Sequence, residues 1–439
     1  MNLGSLTSSN RLVYILVGSI ALLIFLTVIL VLRSFGGGSQ EQATLQFWGV
    51  FDNRQTLDVV IRQFEQANPG VKIAYRNFSY EEYEKAIVDA LAANSGPDVW
   101  MIHNTWLPKH QDKLLPMPNK IPGLDEPLMT LKRFREEFVD VAYQDLVVDN
   151  QIYSLPVYID TLALYYNKDI FNDAGLARPP ATWDEFNQYV EQLTKFDNNR
   201  NITQSGGAIG SARNINRSTD ILMNLMLQSG VRMTNEENTE ATFTSSVDNQ
   251  RVAEIALQYY TDFTNPAKVV YCWNDNLHYS VDAFAEGFTS MMFNYSHQTD
   301  ALRGRASRLN FAVAPMPQIS VTDIRTYANY WAPAVSAASR APNAAWQFVA
   351  YMASPQGAAT YLNETRRPAA RRDLIELQRN DPDLGVFAVQ ALSADSWFQS
   401  DNVAIEKIFG DMIDAVNFGS ATVRDALGAA ETKVNVLMR

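Results

Sequence analysis

The stretch Ser95–Trp106, SGPDVWMIHNTW, runs from a Ser-Gly-Pro turn signal through a short apolar run into a histidine, an asparagine and a second tryptophan. Aromatic faces stack on flat apolar surfaces, while His and Asn both donate and accept hydrogen bonds. Together they suit a ligand with apolar ring faces and a rim of hydroxyls, such as a pyranose. His103, Asn104 and Trp106 are therefore candidate contacts; alternation along the apolar run turns Trp100 into the core. The plainer reading is a surface loop packing one Trp against its own domain. Similar groupings recur along the chain. Tyr158 and Asp160 share one face of an extended segment. Asn294, Tyr295 and His297 follow the run FTSMMF, where a turn with solvated polar tips is an equal alternative. Trp48 and Asp52 lie in and just after TLQFWGVF, and Trp331 lies in YWAPAV. With 8 Trp, 19 Tyr and 22 Phe in the chain, position rather than number singles these residues out.

Arg366, Arg367, Arg371 and Arg372 form a cluster with two readings. A charge run is ordinarily a solvated face; the alternative is a set of forks for an anionic ligand, with Arg367 as the candidate contact. Trp273 and Trp397 suit packing or ring stacking equally. The 4 histidines, at 103, 110, 278 and 297, lack zinc-like spacing. His103 and His297 could converge on a metal, but two histidines without a third ligand are weak grounds. There is no Walker A loop, no H-E-x-x-H and no G-x-S-x-G. No cofactor is expected.

The elements that must position these residues are legible from periodicity. TLQFWGVF reads as a buried strand. Leu57, Val60, Ile61 and Phe64 mark one face of a helix ended by Pro69-Gly70. VKIAYRNF alternates as a strand, Ser79 and Glu82 form a capping-box pattern before a further helix, and DVWMI is a third strand. This βαβαβ order predicts a parallel sheet covered by helices, with ligands outside the carboxyl ends of its strands. Asp52, His103, Asn104 and Trp106 all follow strand ends on that rim. From Ile152 an extended aromatic segment opens a second region. Helices are expected over Ile221–Gln228, Val252–Phe263, Asn343–Ala353, Pro355–Asn363, Val403–Val416 and Val423–Leu437.

At 439 residues the chain exceeds what one hydrophobic core sustains, about 250–300 residues, so two lobes are expected. The net charge of −12 argues against nucleic acid as a partner. Cys272 is the only cysteine, which excludes an internal disulfide. Behind a short tail, residues 1–11, the uncharged stretch Leu12–Leu32 is flanked by Arg11 and Arg33. About 20 apolar residues span a bilayer as a helix, and no small-x-small cleavage site follows, so an uncleaved signal anchor is expected over a cleaved signal. The glycine-rich Ser34–Ala43 reads as a linker holding the remainder close to the membrane.

An ordered set of segments then carries a likeness: FWGVFD, FEQANPGVKIAY, ALAANSGPDVWMI, IYSLPVYIDTLALYYNKDIF, PATWDEF, FAEGFTSMMFNYS, FAVAPMP, NAAWQFVAYMASPQGAATYL and FGSATVRDALGAAETKVNVLM. From about Thr44 onward the chain resembles the family 1 extracellular solute-binding proteins of ABC importers, the group that includes maltodextrin-binding protein. The resemblance implies an α/β, two-lobed periplasmic-binding-protein fold of type II with discontinuous lobes. Lobe 1 would hold about Thr44–Val157 and Ala283–Ala328, and lobe 2 about Tyr158–Asp282 and Asn329–Arg439. The hinge would cross near Pro156–Asp160, Asp282 and Tyr330–Trp331, with Asp160 accepting from sugar hydroxyls and Trp331 bordering the ligand. It also implies a monomer serving permease transmembrane subunits, binding without catalysis. Members that are lipoproteins carry a Cys after the leader; this chain has an apparent anchor instead. The rival readings are a glycoside hydrolase using Asp52 and Asp160, a sensor subunit with the same clamshell, and a receptor for a polyamine, metal chelate or peptide.

Overall fold

The computed structural model describes residues 43–439. The expected anchor and all but the last residue of the linker lie outside the described residues. Among the described residues, no helix is long and apolar enough to cross a membrane. Ala43, expected to end the linker, opens the first strand.

The first strand, β1 (Ala43–Val50), is the middle of a parallel trio. Asn53 then caps α1 (Arg54–Ala67), its Oδ1 accepting the Thr56 N–H at 3.0 Å. Leu57, Val60, Ile61 and Phe64 form its buried face, at the expected helical spacing. β2 (Val71–Phe78) pairs with β1 from Ala43↔Val71 to Val50↔Phe78. The Ser79 hydroxyl donates to Glu82 at 3.0 Å, side chain to side chain, ahead of α2 (Tyr80–Ala92). β3 (Val99–His103) lies on the other side of β1, also parallel, with Trp100 fully buried.

The chain then passes through β4 (Asp160–Thr161) into β5 (Ala163–Asn167). α3 (Ser218–Gln228) is buried along almost its whole length. β6 (Met291–Asn294) runs into α4 (His297–Arg305), and both β6 and β7 (Phe311–Ala314) pair antiparallel with β5. β8 (Thr326–Asn329) is followed directly by β9 (Trp331–Val335), which returns to the first sheet antiparallel to β3. After a helical stretch come β10 (Ala394–Asp395), α5 (Asn402–Asn417) and α6 (Val423–Leu437).

Two hydrophobic cores result. One gathers Leu45–Ile159 with Ala328–Ile375; the other gathers Leu162–Tyr327 with Trp397–Val434. This differs from the expected division. The segment 283–328 packs almost wholly in the second core, through Phe284, Met292 and Phe293, because β6 and β7 flank β5. Conversely, Ala332, Trp346, Phe348 and Tyr361 belong to the first, because β9 joins β3. Asp282 is therefore not a crossing. The chain crosses at Ile159–Leu162, at Tyr327–Ala328 and near Ala391–Trp397. The three crossings lie side by side as one small sheet, β4 antiparallel to β8 and β8 parallel to β10.

Gly49 sits where β1 must pass close to β2. A Cβ there would lie 2.5 Å from the Tyr75 hydroxyl, which donates to the Asp52 carbonyl at 2.6 Å. Gly49→Ala should destabilise the protein by about 1–3 kcal/mol through overpacking, read as a lower denaturation midpoint. An unchanged midpoint would show that this strand exit yields freely.

Candidate functional site

A cavity of about 470 Å3 lies between the two cores, against the crossing strands. The first lobe contributes mostly rings. Phe51 follows β1, Tyr80 opens α2, and Tyr158 and Trp331 flank the crossings. Phe51 stacks on Tyr80 with ring centres 6.0 Å apart and meets Trp331 edge-on at 5.9 Å. It is 59% exposed and has φ +68°, a left-handed conformation that costs a bulky residue energy. A large aromatic held in this way, with its ring on the cavity wall, is placed to stack on a guest.

The second lobe contributes mostly hydrogen-bonding groups. Arg217 and Asp220 come from the start of α3, Ser296 and His297 from the start of α4, and Asn402 and Glu406 from the start of α5. β6 ends at Asn294 and α4 starts at His297, which places Ser296 and His297 on this wall.

Seven of the twelve residues singled out from sequence line this cavity: His103, Tyr158, Asp160, Tyr295, His297, Trp331 and Arg367. Both histidines are held neutral down to about 4, by desolvation first and by Arg217 nearby. For His103 the hydrogen bond to Asn329 partly opposes this. Among the described residues, no three His, Cys, Asp or Glu side chains are grouped so as to hold a metal ion. Asp160 does the work of a pin. Its carboxylate accepts the Thr161 N–H at 2.9 Å, the Ser296 N–H at 3.0 Å and the Ser296 hydroxyl at 2.7 Å. Burial nonetheless raises its carboxyl to about 6.

The other five lie elsewhere. Trp48 packs on Phe78 at 4.8 Å, with the Arg76 guanidinium 5.3 Å from its ring. Trp106 is buried, stacks on Tyr83 and meets Trp331 edge-on at 4.8 Å. Its Nε1–H donates to Asn402 at 2.9 Å, so it supports a wall residue across the seam. Asn104 donates to Asp145 at 3.1 Å, where Tyr330 and Ser396 also converge. Burial lifts that carboxyl to about 7 despite the three donors. Asn294 is fully buried and donates to Asn216 at 3.0 Å. Asp52 sits behind the wall, paired with Arg367 at 2.7 Å and accepting from the Tyr361 hydroxyl at 2.7 Å. Strand-end position is shared by residues that face the cavity and residues that brace it, so sequence placement alone grouped them.

The arginine cluster is a set of ion pairs. Arg366 meets Asp300 and Asp383, Arg371 meets Glu137 and Asp373, and Arg372 meets Asp140. Arg367 alone reaches the cavity, with its charge answered by Asp52 and its guanidinium 4.3 Å from the Tyr158 ring. Trp273 and Trp397 are buried in the second core. Phe51, Tyr80, Arg217, Asp220, Tyr327, Asn329, Gln399, Asn402 and Glu406 line the cavity without having been singled out. The one available signal was the position of several of these at predicted helix starts.

Asp52→Ala should cost about 3–5 kcal/mol, because it leaves the Arg367 guanidinium buried without its counter-ion. Chemical denaturation measures this, and a loss below 1 kcal/mol would mean that water replaces the carboxylate. For His103 and His297 the folded value, about 4, lies below the unfolded value of 6.5. Their contribution is thus complete above about pH 6.5 and lost as pH falls towards 4. His103→Asn with His297→Gln should flatten part of the acid loss of stability in that window; identical acid slopes would refute this.

Residues 60–383 match the family described as bacterial extracellular solute-binding protein. A putative binding protein of Brucella abortus is 23% identical over 266 residues, covering 60% of this chain and 59% of the relative. The matched stretch thus spans about three fifths of the length of such curated relatives. Among solved structures, an ABC transporter solute-binding protein from Thermotoga lettingae bound with alpha-D-tagatose is 21% identical with a TM-score of 0.69, covering 90% of this chain and 100% of that one. The cyclic alpha-maltosyl-1,6-maltose binding protein from Arthrobacter globiformis is 19% identical with a TM-score of 0.73, covering 90% and 99%. At these identities the structures establish a shared fold, and the family match over most of the folded region establishes descent. The chain belongs to the bacterial extracellular solute-binding proteins.

Proposed function

We propose that this protein is the extracytoplasmic receptor of an ABC importer, binding a sugar or oligosaccharide between its lobes and delivering it to permease transmembrane subunits. The observation that carries this reading is the seam cavity itself, with rings on the first-lobe wall and hydrogen-bonding groups on the second. Such a pairing matches a pyranose, apolar on its faces and polar around its edge. Its volume lies within the roughly 300–1,000 Å3 of small-molecule sites. Residues 12–32 would hold the receptor at the membrane as a single-pass anchor.

Binding would proceed by hinge closure. The crossings are extended and few, while contacts across the seam are polar and local. Trp106 reaches Asn402, Lys109 meets Asp401 at 2.8 Å, and Arg366 meets Asp300 at 3.3 Å. A guest that touches both walls adds to these only when the lobes are shut, so it shifts the population towards the closed form. A hydrolase reading finds less support. Its two carboxylates, Asp52 and Asp160, are respectively locked to Arg367 and tied to Ser296, and neither is poised as a free acid or base.

Thermal-shift screening against mono- and oligosaccharides is the direct test, since a ligand that prefers the folded state raises the melting temperature. We expect a saccharide to do so, and Trp331→Ala to weaken its binding about tenfold or more by removing the central ring. Silence towards every saccharide, together with a shift from spermidine or a ferric chelate, would overturn the carbohydrate assignment.

A further inference from the structure

Arg217 lines the seam cavity beside Asp220. Its backbone is left-handed, φ +64° and ψ 25°, immediately before α3. That conformation is unfavourable for any residue but glycine and persists only where its surroundings impose it. Here they do. The Asn216 N–H donates to the Ser280 hydroxyl at 2.8 Å and its Nδ2 to the Tyr279 hydroxyl at 2.6 Å. Its Oδ1 accepts from Asn294 at 3.0 Å. The braced loop puts the Arg217 side chain on the cavity wall, with its guanidinium 5.3 Å from the Tyr295 ring. There Nε is buried without a hydrogen-bond partner among the described residues, while Asp220 and Glu406 lie close enough to offset part of the charge. A desolvated donor left unmatched is costly, so a guest that places an acceptor there gains affinity.

The neighbouring charges say which acceptor. Asp220 lines the same wall, and the Tyr295 hydroxyl donates to it at 2.8 Å. Glu406 lines it as well; desolvation, and then the nearby Asp220, raise its carboxyl above the usual range. Asp160 and Glu81 also face the cavity, and the charge of Arg367 is already answered by Asp52. Carboxylates thus outnumber guanidinium groups around the cavity. An anionic guest would gain one cation and confront several carboxylates. A hydroxyl satisfies both partners at once: its oxygen accepts from Arg217 and its hydrogen donates to a carboxylate.

We propose that Arg217 is the specificity-determining contact of this cavity: with Asp220 and Glu406 it binds neighbouring hydroxyls of a neutral sugar ring and rejects acidic sugars and sugar phosphates. This rests on the carbohydrate reading above. The test is calorimetric titration of the full chain in detergent with neutral sugars and with the uronates and phosphates of the same sugars. The neutral form should bind at least about 100-fold tighter. Arg217→Gly removes the guanidinium while suiting the left-handed backbone. It should still melt cooperatively as a folded protein while affinity for the neutral sugar falls about 10- to 100-fold. Asp220→Asn with Glu406→Gln should narrow the gap between neutral and acidic sugars. The proposal is overturned if Arg217→Gly binds the neutral sugar like the wild type, or if the wild type prefers the uronate or phosphate; either result leaves carbohydrate binding standing. No saccharide binding by the wild type removes the carbohydrate reading and the proposal together.

Discussion

Two hydrophobic cores share this chain, and only extended segments pass between them. Burial of apolar area favours enlarging a core, but beyond some 250–300 residues the layers can no longer cover one another, and the chain divides. A seam follows. The backbone at each crossing has donors and acceptors that no helix satisfies, and each must find a partner beside the seam. β4, β8 and β10 solve this by pairing with one another. Gln390 adds to it by donating to the Thr161 hydroxyl at 3.1 Å and the Leu162 carbonyl at 3.0 Å. Asp160 gathers the start of α4 to the first crossing, and Asp145 gathers Asn104, Tyr330 and Ser396 to the other two. The site is thus a consequence of the division: it is the place where two finished cores leave polar groups facing each other.

The electrostatics of that seam separate brace from contact. Charges with a structural task are paired within the protein, as Asp52 is with Arg367 and the Tyr361 hydroxyl. Buried pairs of this kind contribute little net stability, yet removing one member is expensive, and so they fix geometry. Charges left open face the cavity. The family match and the shared fold do not supply this distinction, because one fold carries sites for many ligands. It lies in the hydrogen bonds each buried group already makes.

Much of the architecture is legible in the periodicity. The order β1, α1, β2, α2, β3 follows from alternation switching to helical spacing at Asn53 and Ser79, and the later helices fall within a few residues of where their apolar faces place them. What periodicity does not carry is sheet membership. β6 and β9 are both short apolar strands, MMFN and WAPAV, and nothing local assigns the first to β5 and the second to β3. That is why the division expected beyond Asp282 differs from the one the two cores draw. The site was half legible for a related reason. The strand-end rule found His103 and His297, and the family resemblance Trp331, but the rule also drew in Trp106 and Asn104, whose side chains turn behind the wall. Arg217, Asp220 and Glu406 look from sequence like ordinary polar residues in or beside helices.

The sequence by itself determined the local elements, the need for more than one core, and the aromatic and polar character of the strand ends, because these depend on spacing and composition over a few residues. Tertiary structure alone decided which strands share a sheet, which charges are spent on one another, and which remain open towards the seam. Those outcomes depend on contacts between residues far apart in the chain, such as Asp52 with Arg367 and Trp106 with Asn402. A polar side chain has the same identity whether its partner is protein or guest, and only the folded arrangement shows which of the two it is waiting for.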